Sequence, residues 1–153
     1  MAKRSAKTPT SSAGTVGLRY IESSALVAAL LERDAGALKS VRTRGRKITS
    51  ALTIAEAARA ILRARAAARL TTDQERAAVR ALHRFERRCF LVALTDPILA
   101  RVRRPFPVEP IRTLDAVHLA TAELLGEPAA LIVVVTRDIR VHENAQALGY
   151  AVE

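Results

Sequence analysis

The 153-residue sequence predicts an α/β sandwich with a mostly parallel central sheet flanked by helices. Two observations lead there. Short apolar, β-branched runs alternate with longer runs of helical spacing. One of the short runs, Ala130–Val135, is apolar throughout, the pattern of a strand buried on both faces.

The elements follow in order from local signals. Leu18–Ile21 reads as a first strand, and Ser23 as the N-cap of a helix carrying Leu26, Leu30 and Leu31. A weaker helix over Gly36–Arg44 stops at Gly45, and Lys47–Leu52 reads as a second strand. Ile54–Leu70 has helical spacing, with Ile54, Ala58, Ile61 and Leu62 on one face. Thr72-Asp73-Gln74-Glu75 has the capping-box pattern and opens a helix with Val79, Leu82 and Phe85 on its apolar side. The other side of that helix is a basic ladder of Arg76, Arg80, Arg84 and Arg87 or Arg88. Phe90–Leu94 reads as a strand. Asp96-Pro97 reads as a cap followed by Pro at the first helical position, opening a helix over Ile98–Arg104. Pro105, Pro107 and Pro110 force an extended loop. Thr113 is placed to cap a helix over Leu114–Leu125, and Gly126 to end it. After the apolar strand, a last helix from Ile139 to Leu148 and a short strand at Tyr150–Val152 complete the chain.

Residues 1–17 read as a flexible basic tail, since they contain no acid and no apolar periodicity, and residues 18–153 as one domain. The length is enough to bury a substantial core without covalent staples. Cys89 stands alone, so no internal disulfide is available, and a reducing, cytoplasmic setting is expected. No stretch reaches the roughly 18 apolar residues of a membrane span. Twenty-five Lys and Arg against 15 Asp and Glu leave a net charge of +10, which suits a polyanionic partner such as nucleic acid. The joint abundance of Ala and Arg is also what a GC-rich genome produces, so charge alone does not decide the matter. Only Tyr20, Phe85, Phe90, Phe106 and Tyr150 could stack on bases, which argues against a dedicated single-strand stacking platform.

Ligands of such folds bind beyond the carboxyl ends of the strands. Glu22 follows the first strand directly, Glu56 lies in the first turn after the second, Asp115 opens the helix after Thr113, and Asp138 follows the apolar strand. Each acid alone is explained by the helix dipole, worth roughly 0.3–1 kcal/mol. Together at one sheet edge they would repel unless protonated or offset by a cation. Oxygen donors without a His or Cys cluster suit Mg²⁺ or Mn²⁺ rather than zinc, and such ions promote phosphodiester cleavage.

These residues resemble the PIN-domain endoribonucleases, especially toxins of the VapBC toxin–antitoxin type. The resemblance rests on four pieces in the family's order: Tyr20–Leu26, Thr49–Glu56, Arg112–Ala120 and Thr136–Asp138. It implies a PIN-like three-layer sandwich and an Mg²⁺- or Mn²⁺-dependent endoribonuclease. It further implies inhibition by a cognate antitoxin, and a homodimer. It implies that Glu22, Asp115 and Asp138 bind metal and that Glu56 completes the catalytic acids. Ser24 and Thr136 match accessory hydroxyl positions. The family usually has Asp where this chain has Glu22, which keeps a non-catalytic or weakly active RNA-binding domain open as the alternative.

Other polar residues carry less. Arg112, beside the acids, is a candidate phosphate contact, and the arginine ladder is either a solvated face or an RNA-capturing one. His118, three residues after Asp115, reads as a structural histidine or a donor behind the ligands. Cys89 reads as a packing residue, and Asp34, Asp73 and Asp96 as turn or capping residues.

Overall fold

The computed structural model describes residues 17–153, so most of the basic segment read in the sequence lies outside the described residues. Five strands, β1 (Leu18–Ile21), β2 (Arg46–Ser50), β3 (Phe90–Val92), β4 (Ile132–Val135) and β5 (Ala151–Val152), form one sheet in the order β3-β2-β1-β4-β5. Every pairing is parallel, so the mostly parallel sheet expected is wholly parallel. Seven helices connect and cover it: α1 (Ser23–Leu31), α2 (Ala35–Arg42), α3 (Ala51–Ala66), α4 (Thr72–Glu86), α5 (Asp96–Val102), α6 (Thr113–Glu123) and α7 (Ile139–Ala147).

Strand alternation makes the three layers. Successive side chains point to opposite faces, so Tyr20 and Val134 enter one core with Leu119 of α6 and Val141 of α7. Ile21 and Val135 enter the other, with Leu26 of α1, Ile61 of α3 and Leu82 of α4. Both faces of β1 and β4 are therefore largely apolar, Arg19 of β1 being the buried exception. Among the described residues, no helix is long and apolar enough to cross a membrane.

Several helix starts differ from the sequence reading by one residue or more, each with a local cause. Glu22, not Ser23, caps α1, its carboxylate accepting from the Ser24 N–H. β2 stops at Ser50 because Ser50 caps α3, which starts at Ala51 rather than Ile54. The capping box is Thr71 with Gln74, bonded reciprocally at 2.8 and 3.2 Å, while Glu75 turns to Arg65 at 3.3 Å. Thr95 precedes α5 and Asp96 is its first residue. Arg112, not Thr113, stands at the cap of α6, with no side-chain capping bond. α2 begins at Ala35 because Asp34 accepts from the Ala37 N–H at 2.8 Å, which bears out Asp34 as a capping residue. The apolar run opens with a 3₁₀ turn, Ala129–Leu131, before β4. The proline loop is pinned by the fully buried Asn144, whose amide pairs with both the N–H and the C=O of Val108 at 2.9 Å.

Candidate active site

The parallel sheet ends its strands on one edge, and β1 and β4 are adjacent there. Glu22 continues β1 and Thr136 continues β4. Glu22 is 2% exposed yet ionisable, and burying it requires donors. Oε1 accepts from Ser23 Oγ at 2.6 Å and Oε2 from Thr136 Oγ1 at 2.8 Å, while the Ser24 N–H reaches both oxygens at 3.0 Å. Ser24 Oγ also bonds Oε2. Ser24 and Thr136, read as accessory hydroxyls, therefore both meet Glu22.

Glu56 lies in the second turn of α3, not the first, because the helix starts earlier than its periodicity suggested. Its Oε2 is 2.7 Å from His118 Nε2, and the Tyr20 hydroxyl is 3.0 Å from His118 Nδ1. His118 Nε2 is also 3.7 Å from Glu22 Oε1. One ligand atom each from Glu22, Glu56 and His118 lie within 4.8 Å of one another. Burial works to raise the Glu56 carboxyl, but the hydrogen bond and charge of His118 outweigh it and hold the group below its ordinary range.

Asp115 opens α6 and Asp138 caps α7. Asp138 Oδ1 accepts from the Arg140 and Val141 N–H groups at 2.8 and 3.4 Å. Burial raises the Asp115 carboxyl, as do the negative charges of Asp138 and then Glu22, with Arg112 and His118 opposing. Asp115 Oδ2 is buried with no hydrogen-bond partner. A buried carboxylate oxygen left without a donor, in the field of two more acids, fits a cation ligand. The donor set, carboxylate oxygens with one imidazole beside them, fits a hard divalent cation of the Mg²⁺ or Mn²⁺ kind. Arg112 is exposed beside Asp115.

The four acids thus fall into two parts. Glu22 and Glu56 meet through His118, while Asp115 feels Asp138 and Glu22 electrostatically but stands outside the tight cluster. His118 and Tyr20 carry more of the site than their sequence context suggested. Two spacings put each beside an acid, Tyr20 two residues before Glu22 and His118 three after Asp115 on one helix, but neither shows that His118 meets Tyr20 and Glu56.

The PIN domain family matches residues 19–147. Ribonuclease VapC35 of Mycobacterium tuberculosis is 38% identical over 137 residues, covering 87% of this chain and 93% of that protein. Ribonuclease VapC46 of the same organism is 37% identical over 135 residues, covering 87% and 94%. The 2.2 Å structure of VapBC-1 from nontypeable Haemophilus influenzae superposes with a TM-score of 0.55 at 13% identity, over 89% of this chain and 96% of that one, and so shares the fold. With its parallel five-stranded sheet, its strand-end acids and these relatives, the chain belongs to the PIN-domain family and is similar to the VapC ribonucleases.

Proposed function

We propose that the protein is a metal-dependent endoribonuclease that hydrolyses RNA phosphodiester bonds, and that it is the toxin of a type II toxin–antitoxin pair. The observation that carries the reading is the unpartnered, buried Asp115 Oδ2 facing the charge of Asp138 and Glu22 inside a chain of net charge +10. A basic exterior attracts a polyanion, and a cation at the acids makes their edge tolerable to a phosphate.

Glu22, Asp115 and Asp138 would hold Mg²⁺ or Mn²⁺, which when bound would polarise the phosphate and offset developing charge. Glu56, held by His118, would orient the attacking water and take its proton. Arg112 would contact a phosphate oxygen. Ser24 and Thr136 keep the Glu22 carboxylate in place.

A cognate antitoxin is proposed as the protein partner. The relatives' ribonuclease names and the VapBC neighbour support it. So does a groove of about 640 Å³ between α1, α2 and α4. Its floor includes Leu26, Leu30 and Phe85, and its rim Arg42, Arg84 and Arg88, a surface suited to an acidic amphipathic helix. A homodimer in the cytoplasm completes the proposal.

The test is incubation of purified protein with structured RNAs, with and without Mg²⁺ or Mn²⁺. The expected result is cleavage that needs the metal and disappears in Asp115→Asn. RNA binding without cleavage under either metal would favour the non-catalytic alternative.

A further inference from the structure

Of the five aromatic side chains, four are closed inside the protein: Tyr20 at 1%, Phe85 at 9%, Phe106 at 4% and Tyr150 at 7% exposure. Phe90 is 68% exposed. It opens β3, the edge strand, paired with Ile48 of β2. An apolar residue on an open sheet edge is an aggregation liability, so its exposure asks for a use.

Phe90 lines a cleft of about 460 Å³ together with Arg46, Lys47, Arg88, Leu125 and a single acid, Glu127. Arg46 and Arg88 are exposed and Lys47 half-buried. Among the described residues, none of the three cations lies in a salt bridge. An open aromatic face ringed by unpaired cations matches what unpaired RNA offers, since every base has a π-face and every linkage a negative charge.

The cleft lies toward the amino ends of the strands, with Leu18, Gly45 and Arg46 in its lining, whereas the acids lie beyond the carboxyl ends. Tyr20, Ile48 and Phe90 stand in one row across three neighbouring strands. At about 4.8 Å per strand the row spans roughly 10 Å. Glu22 lies two residues further along β1, about 7 Å at strand rise. The straight line from Phe90 to Glu22 is on the order of 12 Å, but it runs through the buried Ile48 and Tyr20, so an RNA strand engaging both would pass around the outside of the sheet.

We propose that the Phe90 cleft is an accessory RNA site, remote from the acids, that holds an unpaired stretch of the substrate. One base stacks on Phe90, and Arg46, Lys47 and Arg88 take the neighbouring phosphates. The proposal rests on the endoribonuclease reading for its substrate class, and it names a second contact region that the acids do not supply.

The test measures fluorescence anisotropy of a labelled 12-nucleotide single-stranded RNA on the Asp115→Asn protein, with cleavage kinetics on the otherwise native chain. Phe90→Ala should weaken binding by about 5- to 100-fold, the usual loss for one stacked base. Phe90→Trp should retain it, and Arg88→Ala should reduce the slope of log K against log salt by about 0.7. In the active chain Phe90→Ala should raise KM with kcat unchanged. Equal affinity for Phe90→Ala and its parent overturns the accessory site. So does a Phe90→Ala protein that sediments as a smaller species without RNA, because the edge would then belong to a second copy of the chain. If the native chain cuts RNA and Phe90→Ala cuts it with the same KM, only the accessory site fails. If the native chain neither binds nor cuts RNA, the endoribonuclease reading fails too.

Discussion

The hydroxyl of Tyr20 lies 3.0 Å from Nδ1 of His118, two groups joined across 98 residues of sequence in a region closed to water. Burial, and then the negative charge of Glu22, hold the Tyr20 phenol above its ordinary range, so it keeps its proton. The protonated phenol is hydrogen-bonded to Nδ1, and the other ring nitrogen, Nε2, lies 2.7 Å from Glu56. Tyr20→Phe keeps the ring and removes the hydroxyl. A buried Nδ1 without a partner should cost about 1–3 kcal/mol, read as a lower urea midpoint at unchanged slope. Cleavage should slow as well, since Glu56 loses its oriented neighbour. A stability equal to that of the parent would mean that Nδ1 finds another partner.

Asp115→Asn should separate charge from shape. The Asp115 carboxyl is raised by burial, by Asp138 and by Glu22. A raised folded pKa means that its contribution to stability is present below the unfolded pKa and is lost as pH rises through the folded value. At neutral pH, without metal, the ionised group is thus a burden that Asn removes. The metal-free variant should melt higher than the native chain. It should also lose the stabilisation that Mn²⁺ gives the native chain by mass action. Cleavage should fall on the order of 10²-fold or more. Thermal melts with a chelator and then with Mn²⁺ check both arms, and a variant still stabilised by Mn²⁺ to the native extent would place the cation elsewhere.

Period and punctuation were enough to read the fold. The alternation Tyr20/Ile21 and the apolar Ile132–Val135 determine which strands are buried on both faces, and helix–strand alternation then demands a parallel sheet. Boundaries were less legible where two neighbours compete for one role. Ser23 and Glu22 can each cap α1, and Glu22 prevails because its longer side chain reaches the Ser24 N–H and three hydroxyls at once. Thr71/Gln74 and Thr72/Glu75 are both capping boxes on paper, and the pull of Arg65 on Glu75 decides between them. The acids could be ordered along the sheet edge from their positions after the strands. The junction of His118 with Tyr20, Glu56 and Glu22 could not, because it joins β1, α3 and α6 through side-chain packing that no local pattern encodes. The exposure of Phe90 is likewise a consequence of β3 taking the sheet edge.

Arg19 offers a pH test away from the acids. It is 5% exposed within β1, and its guanidinium meets the two Glu153 oxygens at 3.1 and 2.5 Å. The hydrogen bond from Arg19 holds the Glu153 carboxyl below its ordinary range. A depressed folded pKa stabilises above the unfolded value, about 4.3, and that contribution is lost as pH falls through the lower folded value. Glu153→Gln leaves a buried arginine without its counter-charge. The Glu153 side chain is 45% exposed, so the cost at pH 7 should be about 1–3 kcal/mol, below the 3–5 of a fully buried pair. Urea unfolding from about pH 3 to 7 should show a flatter acid limb in the variant. Some slope should survive, because Asp34 is lowered by the Ala37 N–H and Arg137 in the same sense.

Thr136 links two of the acids through a single hydroxyl. Its Oγ1 donates to Glu22 Oε2 at 2.8 Å and accepts from the Asp138 N–H at 3.1 Å. Thr136→Val has nearly the same shape but leaves both groups short of a partner in a residue position only 3% exposed. Each loose end costs about 1–3 kcal/mol if buried and unrepaired. The larger consequence concerns placement: groups that orient ligands typically change metal affinity 10–100-fold when removed. Mn²⁺ titration should therefore show a loss of about that size in Thr136→Val, with a fall in cleavage at limiting metal that excess metal partly restores. Thr136→Ser keeps the hydroxyl and should recover most of the affinity. If valine and serine behave alike, methyl packing rather than the hydroxyl sets the position of Glu22 and Asp138, and the two carboxylates are held by their own helix termini alone.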